Sequence, residues 1–354
     1  MSIVKRQVSF DELKKMIKDC KFEDLRNIDV SCFETLKYLF YDSNIDSLEY
    51  IRDWDVSNCK DFAYMFHGCR NITSLEPLRN WNVSSGIYFT CMFSNCSNIG
   101  SLEPLANWNV SNCNDFSYMF AAYTQTHGDL MYIHSIKGLE NWDVSNGKFF
   151  TGMFSGNSHL FSINELGNWN MCNASSFNSM FKGCKSLVSI IPISKWKLTK
   201  EIYMSSMFSG CESLKTIGKF DNWKIRHMDY AFSSCKSLES LEGLENLDVS
   251  EINSFSYSFS HCKSLKSLEP LKKWDVSNCC DFKYMFSDCS KITNLDGLRY
   301  WNINRGLNFN GMFIDCRSLE NIDGIKNWIC CRKTIKNKFI FSGTNFKDFK
   351  PIFK

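Results

Sequence analysis

Residues 274–298 read WDVSNCCDFKYMFSDCSKITNLDGL, and most of the chain is that text written again with substitutions. Trp274 is followed by Trp301 and Trp328, and preceded at the same place by Leu247, Trp223, Trp196, Trp169, Trp142, Trp108, Trp81 and Trp54. All 10 tryptophans fall on this position. Most spacings are 27 residues, with one of 34 and one of 24. Self-similarity at such a period marks a stacked repeat architecture. A fainter copy starts at Ile28, which makes about a dozen coils.

The first half of each copy is aromatic. Phe stands eight and twelve residues after the Trp, as in Phe62 and Phe66 or Phe282 and Phe286, usually with Met before the second. A spacing of four puts two side chains on one helical face, and Asp61, Asp115 and Asp281 suit a helix start. The D-F-x-Y-M-F segment therefore predicts a short helical turn, aromatic face inward. In the second half Leu or Ile recurs at steps of three, and Pro77, Pro104, Pro192, Pro270, Gly243, Gly297 or Gly324 precedes the last one. Proline closes a strand rather than sitting inside one, so short strands are expected around S-L-E and around W-D-V.

The predicted fold is an α/β solenoid, a stack of about 12 coils, each with short parallel strands and a short helical turn. A single coil cannot bury both its apolar edges, whereas stacking makes the core continuous. Residues 1–27 are expected to be an N-terminal capping helix, because Ser9 and Glu12 fit a capping box and Phe10, Leu13, Met16 and Ile17 share a face. The solenoid then spans 28–328. Residues 329–354 leave the pattern as a basic, aromatic C-terminal cap carrying Phe339, Phe341, Phe346, Phe349 and Phe353.

The text C-x-S-L-x-S-L-E-P-L-x-N-W-D-V-S-N-C-x-D-F-x-Y-M-F-S resembles the bacterial surface-protein 26-residue repeat, a relative of the BspA-type leucine-rich repeats. The resemblance covers about residues 28–328, with a Leu-Glu-Pro-Leu step one residue longer than the usual Leu-Asp-Leu. It implies a leucine-rich-repeat-like solenoid that binds other macromolecules. It also implies kinship with exported surface proteins and adhesins.

Composition bounds the function. A formal charge of +3 over 354 residues is too mild for nucleic acid as the main partner. The opening residues show no signal-peptide pattern and no apolar run is long enough to cross a membrane, so the expected location is cytoplasmic. The alternative is a cell or particle surface reached by another route. Of 18 cysteines, eight occupy one repeat position: Cys69, Cys96, Cys184, Cys211, Cys235, Cys262, Cys289 and Cys316. They read as small buried hydrophobes with free thiols, with disulfides as the alternative.

No phosphate loop, zinc-protease or nucleophile-elbow motif occurs, so the expectation is a protein that is not an enzyme and takes no cofactor or metal. Two places are candidates for partner binding. An insertion between Phe120 and Trp142 carries Tyr123, His127, Tyr132 and His134, and insertions in repeats gather on one face. A row of acids follows the strand leucine and includes Glu242, Glu269, Asp296 and Asp323. That row is either a solvated face offset by Lys236, Lys263, Lys272 and Arg299, or an acidic groove for a basic partner or a cation such as calcium, though strand carboxylates lack the loop ligands of a tight calcium site. The function expected is a scaffold for protein–protein interaction, with an unidentified protein partner. An exported, adhesin-like or structural particle protein is the alternative.

Overall fold

The structure, a computed structural model, describes residues 5–122, 133–221, 223–330, 337–346 and 352–353. The chain divides into two compact units, Met1–Ala174 and Ser175–Lys354. Each is a stack of coils in which equivalent side chains lie in columns.

The aromatic half of the coil is not helical. Residues 61–69 form successive turns, with Met65 N–H donating to Phe62 O at 3.1 Å, His67 to Tyr64 at 3.2 Å and Cys69 to Phe66 at 3.0 Å. The alternate N–H groups leave the coil. Phe62, Tyr64, Phe66 and Gly68 donate to Tyr88, Thr90, Met92 and Ser94 of the next coil at 2.8–2.9 Å. Two positions per coil, ten and fourteen residues after the Trp, hold left-handed backbone, as at Tyr64 (φ 58°) and Gly68 (φ 73°). A left-handed residue cannot continue an α-helix, which is why the expected helical turn is absent. The spacing of four was right about orientation, because the turn run also returns the two Phe rings to the inside. Phe40, Phe66, Phe93, Phe120 and Phe154 stack at 5.3–5.9 Å in the first unit. In the second, Phe181 to Phe313 continue the pattern at 5.2–5.9 Å.

Tryptophan has a second reason to recur. Every indole is 2–4 % exposed. Nε1–H of Trp81, Trp108, Trp274 and Trp301 donates to Ile51, Leu78, Leu244 and Leu271 O of the coil before, at 2.8–3.2 Å. Each carbonyl already accepts the N–H three residues on, for example Trp274 N–H on Leu271 O at 3.0 Å. One buried oxygen thus uses both lone pairs, one within its coil and one between coils.

The repeated cysteines do the same with another carbonyl of each coil. Sγ of Cys69, Cys96, Cys262, Cys289 and Cys316 lies 2.9–3.2 Å from the Phe carbonyl of the preceding coil. Burial pushes the thiols of Cys69, Cys262 and Cys316 up to about 12. The cysteines among the described residues are free. Where the column has Asn157, its Nδ2 reaches the same acceptor, Phe120 O, at 2.8 Å.

Strands are few, short and parallel. β1 (Arg6–Gln7) pairs with β2 (Ile28–Asp29), β3 (Ile202–Tyr203) with β4 (Ile225–His227), and β5 (Ile329–Cys330) with β6 (Ile352–Phe353). The W-D-V strand expected in every coil is mostly replaced by a local turn, in which the Asp or Asn side chain accepts the Ser N–H two residues on. Asp55 to Ser57 and Asp275 to Ser277, both 3.0 Å, are examples. Lys224 offers no such acceptor, and there the backbone joins β4 instead. The S-L-E strand shrinks to bridges such as Asn294 with Asn321. The E-P-L step is a 3-10 turn: Glu76–Leu78, Glu103–Leu105 and Glu269–Leu271, with Asp296–Leu298 and Asp323–Ile325 its Gly versions.

At the start, helix α1 (Phe10–Lys18) buries Leu13, Met16 and Ile17, and Ser9 Oγ accepts Glu12 N–H at 3.2 Å. Phe10 meets Phe33 edge-on at 5.5 Å. Toward the end, Phe341 stacks on Phe313 at 5.3 Å and Phe339 is 66 % exposed. Phe349 and the Phe353 side chain lie outside the described residues.

Candidate interaction surface

Because the inward positions are filled by columns, the side chains open to solvent are those that point out. Of the residues singled out in the sequence, Tyr123, His127 and Tyr132 lie outside the described residues. His134 packs on His159 at 5.3 Å, and the described residues contain no group of metal-ligating side chains.

The acidic row is a mixed-charge face. Glu269, Asp296 and Asp323 open the 3-10 turns of successive coils and pair three residues on, with Lys272 (3.7 Å), Arg299 and Lys326 (3.7 Å). Such exposed pairs neutralise the row and add little stability. Of the four cations expected to offset it, Lys272 and Arg299 do so. Lys236 instead meets Glu212 at 2.7 Å, and Lys263 meets Asp288 at 3.1 Å. Burial pushes the Asp288 carboxyl up, but hydrogen bonds from His261 and Lys263 outweigh it and hold it below its ordinary value. Glu242 differs, because the residue three on is Glu245. Both line a cleft of about 520 Å³ with Lys215 and Lys219.

A different column went unread in the sequence. The left-handed position ten residues after the Trp is often tyrosine, and its ring leans over the same position of the next coil. Tyr38 stacks on Tyr64 at 4.7 Å, 19°. In the second unit Tyr230, Tyr257 and Tyr284 form an uninterrupted stack at 4.6 and 4.9 Å, 6° and 18°. The first run ends at Cys91 and the second at Gly311, where a Cβ would collide with the ring of Tyr284, as one on Gly152 would with the lone Tyr118. Lysines sit against the rings, with Lys37 Nζ 5.4 Å from the Tyr38 centroid and Lys283 Nζ 5.7 and 5.6 Å from Tyr257 and Tyr284. Burial raises the Tyr230 and Tyr257 phenols. A hydrogen bond with Cys91, followed by burial, lifts Tyr64 to about 12. Tyr203 stacks on His227 at 5.0 Å nearby in the sequence of the second unit. Its signal in the sequence is the Y of D-F-x-Y-M-F, which a helical pattern accommodates equally well.

Among the described residues no helix is long and apolar enough to cross a membrane. No curated protein matches the chain. Among solved structures, a leucine-rich repeat protein from Bacteroides ovatus has 16% identity and a TM-score of 0.30, over 75% of this chain and 70% of that one. An internalin from Listeria monocytogenes has 10% identity and 0.29, over 96% and 95%. A leucine rich cell surface protein from Faecalibacterium prausnitzii has 15% and 0.20, over 67% and 75%. At these scores the likeness carries no argument about fold or function. The family match is of another kind, since it recurs over residues 11–133, 131–241 and 226–350 and so spans nearly the whole chain. The chain belongs to the family described as Mycoplasma protein of unknown function, DUF285.

Proposed function

We propose that the protein is a non-enzymatic scaffold that binds another protein through the outward columns of a BspA-like, leucine-rich-repeat-type solenoid of about 12 coils. The observation that carries this reading is the outward aromatic column. Tyr38, at 44 % exposure, and Tyr230, at 42 %, stand in stacked rows on coils whose inward positions are all occupied. Rigid, amphipathic tyrosines lose little entropy when a partner covers them, and they are enriched at protein interfaces.

The test is recovery of a partner by the immobilised full chain, followed by titration of the two purified proteins. Saturable binding of a purified protein is expected. Failure of every recovered protein to bind once purified would overturn the reading.

A further inference from the structure

We infer that the Tyr230–Tyr257–Tyr284 column with Lys283 is a docking strip for an acidic helix of a protein partner, its carboxylates spaced at i, i+4 and i+7. The inference rests on the scaffold reading and adds what the partner must present.

Three features of the strip favour negative charge. Stacked rings cover one another's faces, so their outer edges remain accessible, and the edge is the positive part of the ring quadrupole. None of the three phenol oxygens has a hydrogen-bond partner among the described residues, so their O–H groups are free to donate outward. Lys283 has its ammonium against two of the rings, and no carboxylate pairs with it among the described residues. Two acids lie close enough for their charge to add to burial in raising the Tyr230 and Tyr257 phenols, and Lys283 must outweigh them: Asp281, whose Oδ1 accepts Lys283 N–H at 2.9 Å, and Asp229, whose Oδ1 accepts Ser256 N–H at 3.1 Å. Lys37 beside the Tyr38–Tyr64 pair repeats the arrangement in the other unit.

Spacing selects the helix. The rungs are 4.6 and 4.9 Å apart. Side chains at i and i+4 of a helix are about 5–6 Å apart, whereas same-face residues of a strand are about 6.6–6.8 Å apart and fall out of step after one rung. Gly311 ends the strip by removing the next side chain.

The probe is a labelled helical peptide of about 18 residues with Glu along one face, compared with a Gln version and a scrambled Glu version. Binding to the full chain is read by fluorescence anisotropy at about 50 mM salt. The Glu-faced peptide should bind at least about tenfold more tightly than either control. Lys283→Gln and Tyr257→Asn should each weaken it about tenfold, Asn being chosen because it tolerates the left-handed backbone of position 257 (φ 58°). Circular dichroism checks that both variants keep their fold. Equal binding of the Glu and Gln peptides, indifference to both substitutions, or equal binding of the scrambled peptide would overturn the inference. A purified partner that docks on another column would also end it, while leaving the scaffold reading standing.

Discussion

Replacing Asn157 by cysteine is expected to stabilise the unit Met1–Ala174. Asn157 is fully buried, and its Nδ2 donates to Phe120 O at 2.8 Å and Phe154 O at 2.9 Å. Its Oδ1 is buried without a partner. An orphaned buried acceptor costs about 1–3 kcal/mol, and an ordinary hydrogen bond contributes about 1 kcal/mol. Asn157→Cys removes the orphan, keeps one donor aimed at Phe120 and gives up the second amide bond, for a net gain of about 1 kcal/mol. The reverse change, Cys262→Asn in the unit Ser175–Lys354, introduces the orphan and adds the second amide bond, so it should cost about 1 kcal/mol by the same reckoning. Urea unfolding gives both values, from shifts of the midpoint at unchanged slope. If Asn157→Cys leaves stability unchanged or lowers it, then Oδ1 is not a liability and the column is not read by its donors.

Trp301→Phe should cost about 2–3 kcal/mol, one hydrogen bond plus the smaller ring, because Leu271 O keeps its bond from Trp274 N–H. A loss well above about 4 kcal/mol in denaturant unfolding would contradict that shared acceptor. Timed alkylation at pH 8 should label exposed Cys20 and Cys32 first and half-buried Cys172 and Cys280 next. It should reach Cys262, held at about 12 by burial, only on unfolding. Asp229 is pushed up by burial, despite hydrogen bonds from Ser254 and Ser256. Its folded pKa therefore lies above the unfolded one, and stability falls as pH rises between the two. Asp229→Asn should raise the melting temperature at pH 7, with the difference vanishing once pH drops below the unfolded carboxylate value. Asn178, at the equivalent place, already accepts Ser205 N–H at 2.8 Å.

The columns were legible because period and residue type agree: an indole every 27 residues at a buried place has no better explanation than stacking. The backbone between them was not. Four-residue spacing of Phe62 and Phe66 fits a helix and a run of turns equally well, and only the left-handed state of Tyr64 and Gly68 separates them. Gly68 hinted at it, but tyrosine is rarely found in that conformation, so its recurrence gave no sign that it marked a ring leaning on the next coil. The acidic row was legible as a row. Its neutralisation by Lys272 and Arg299 within the same turn followed from the 3-10 geometry of Glu269–Leu271 and Asp296–Leu298, where a strand end had been expected.

The two-donor carbonyl, exemplified by Leu271 O, bears on how such a chain can change its length. Each coil exchanges the same set of contacts with its predecessor and its successor (indole on carbonyl, thiol on carbonyl, ring on ring and a run of backbone bonds), so duplicating or deleting one whole regular module rebuilds both new junctions from the contacts of the old. Unequal recombination between copies would therefore yield foldable daughters at once, lengthening or shortening the array without compensating substitutions.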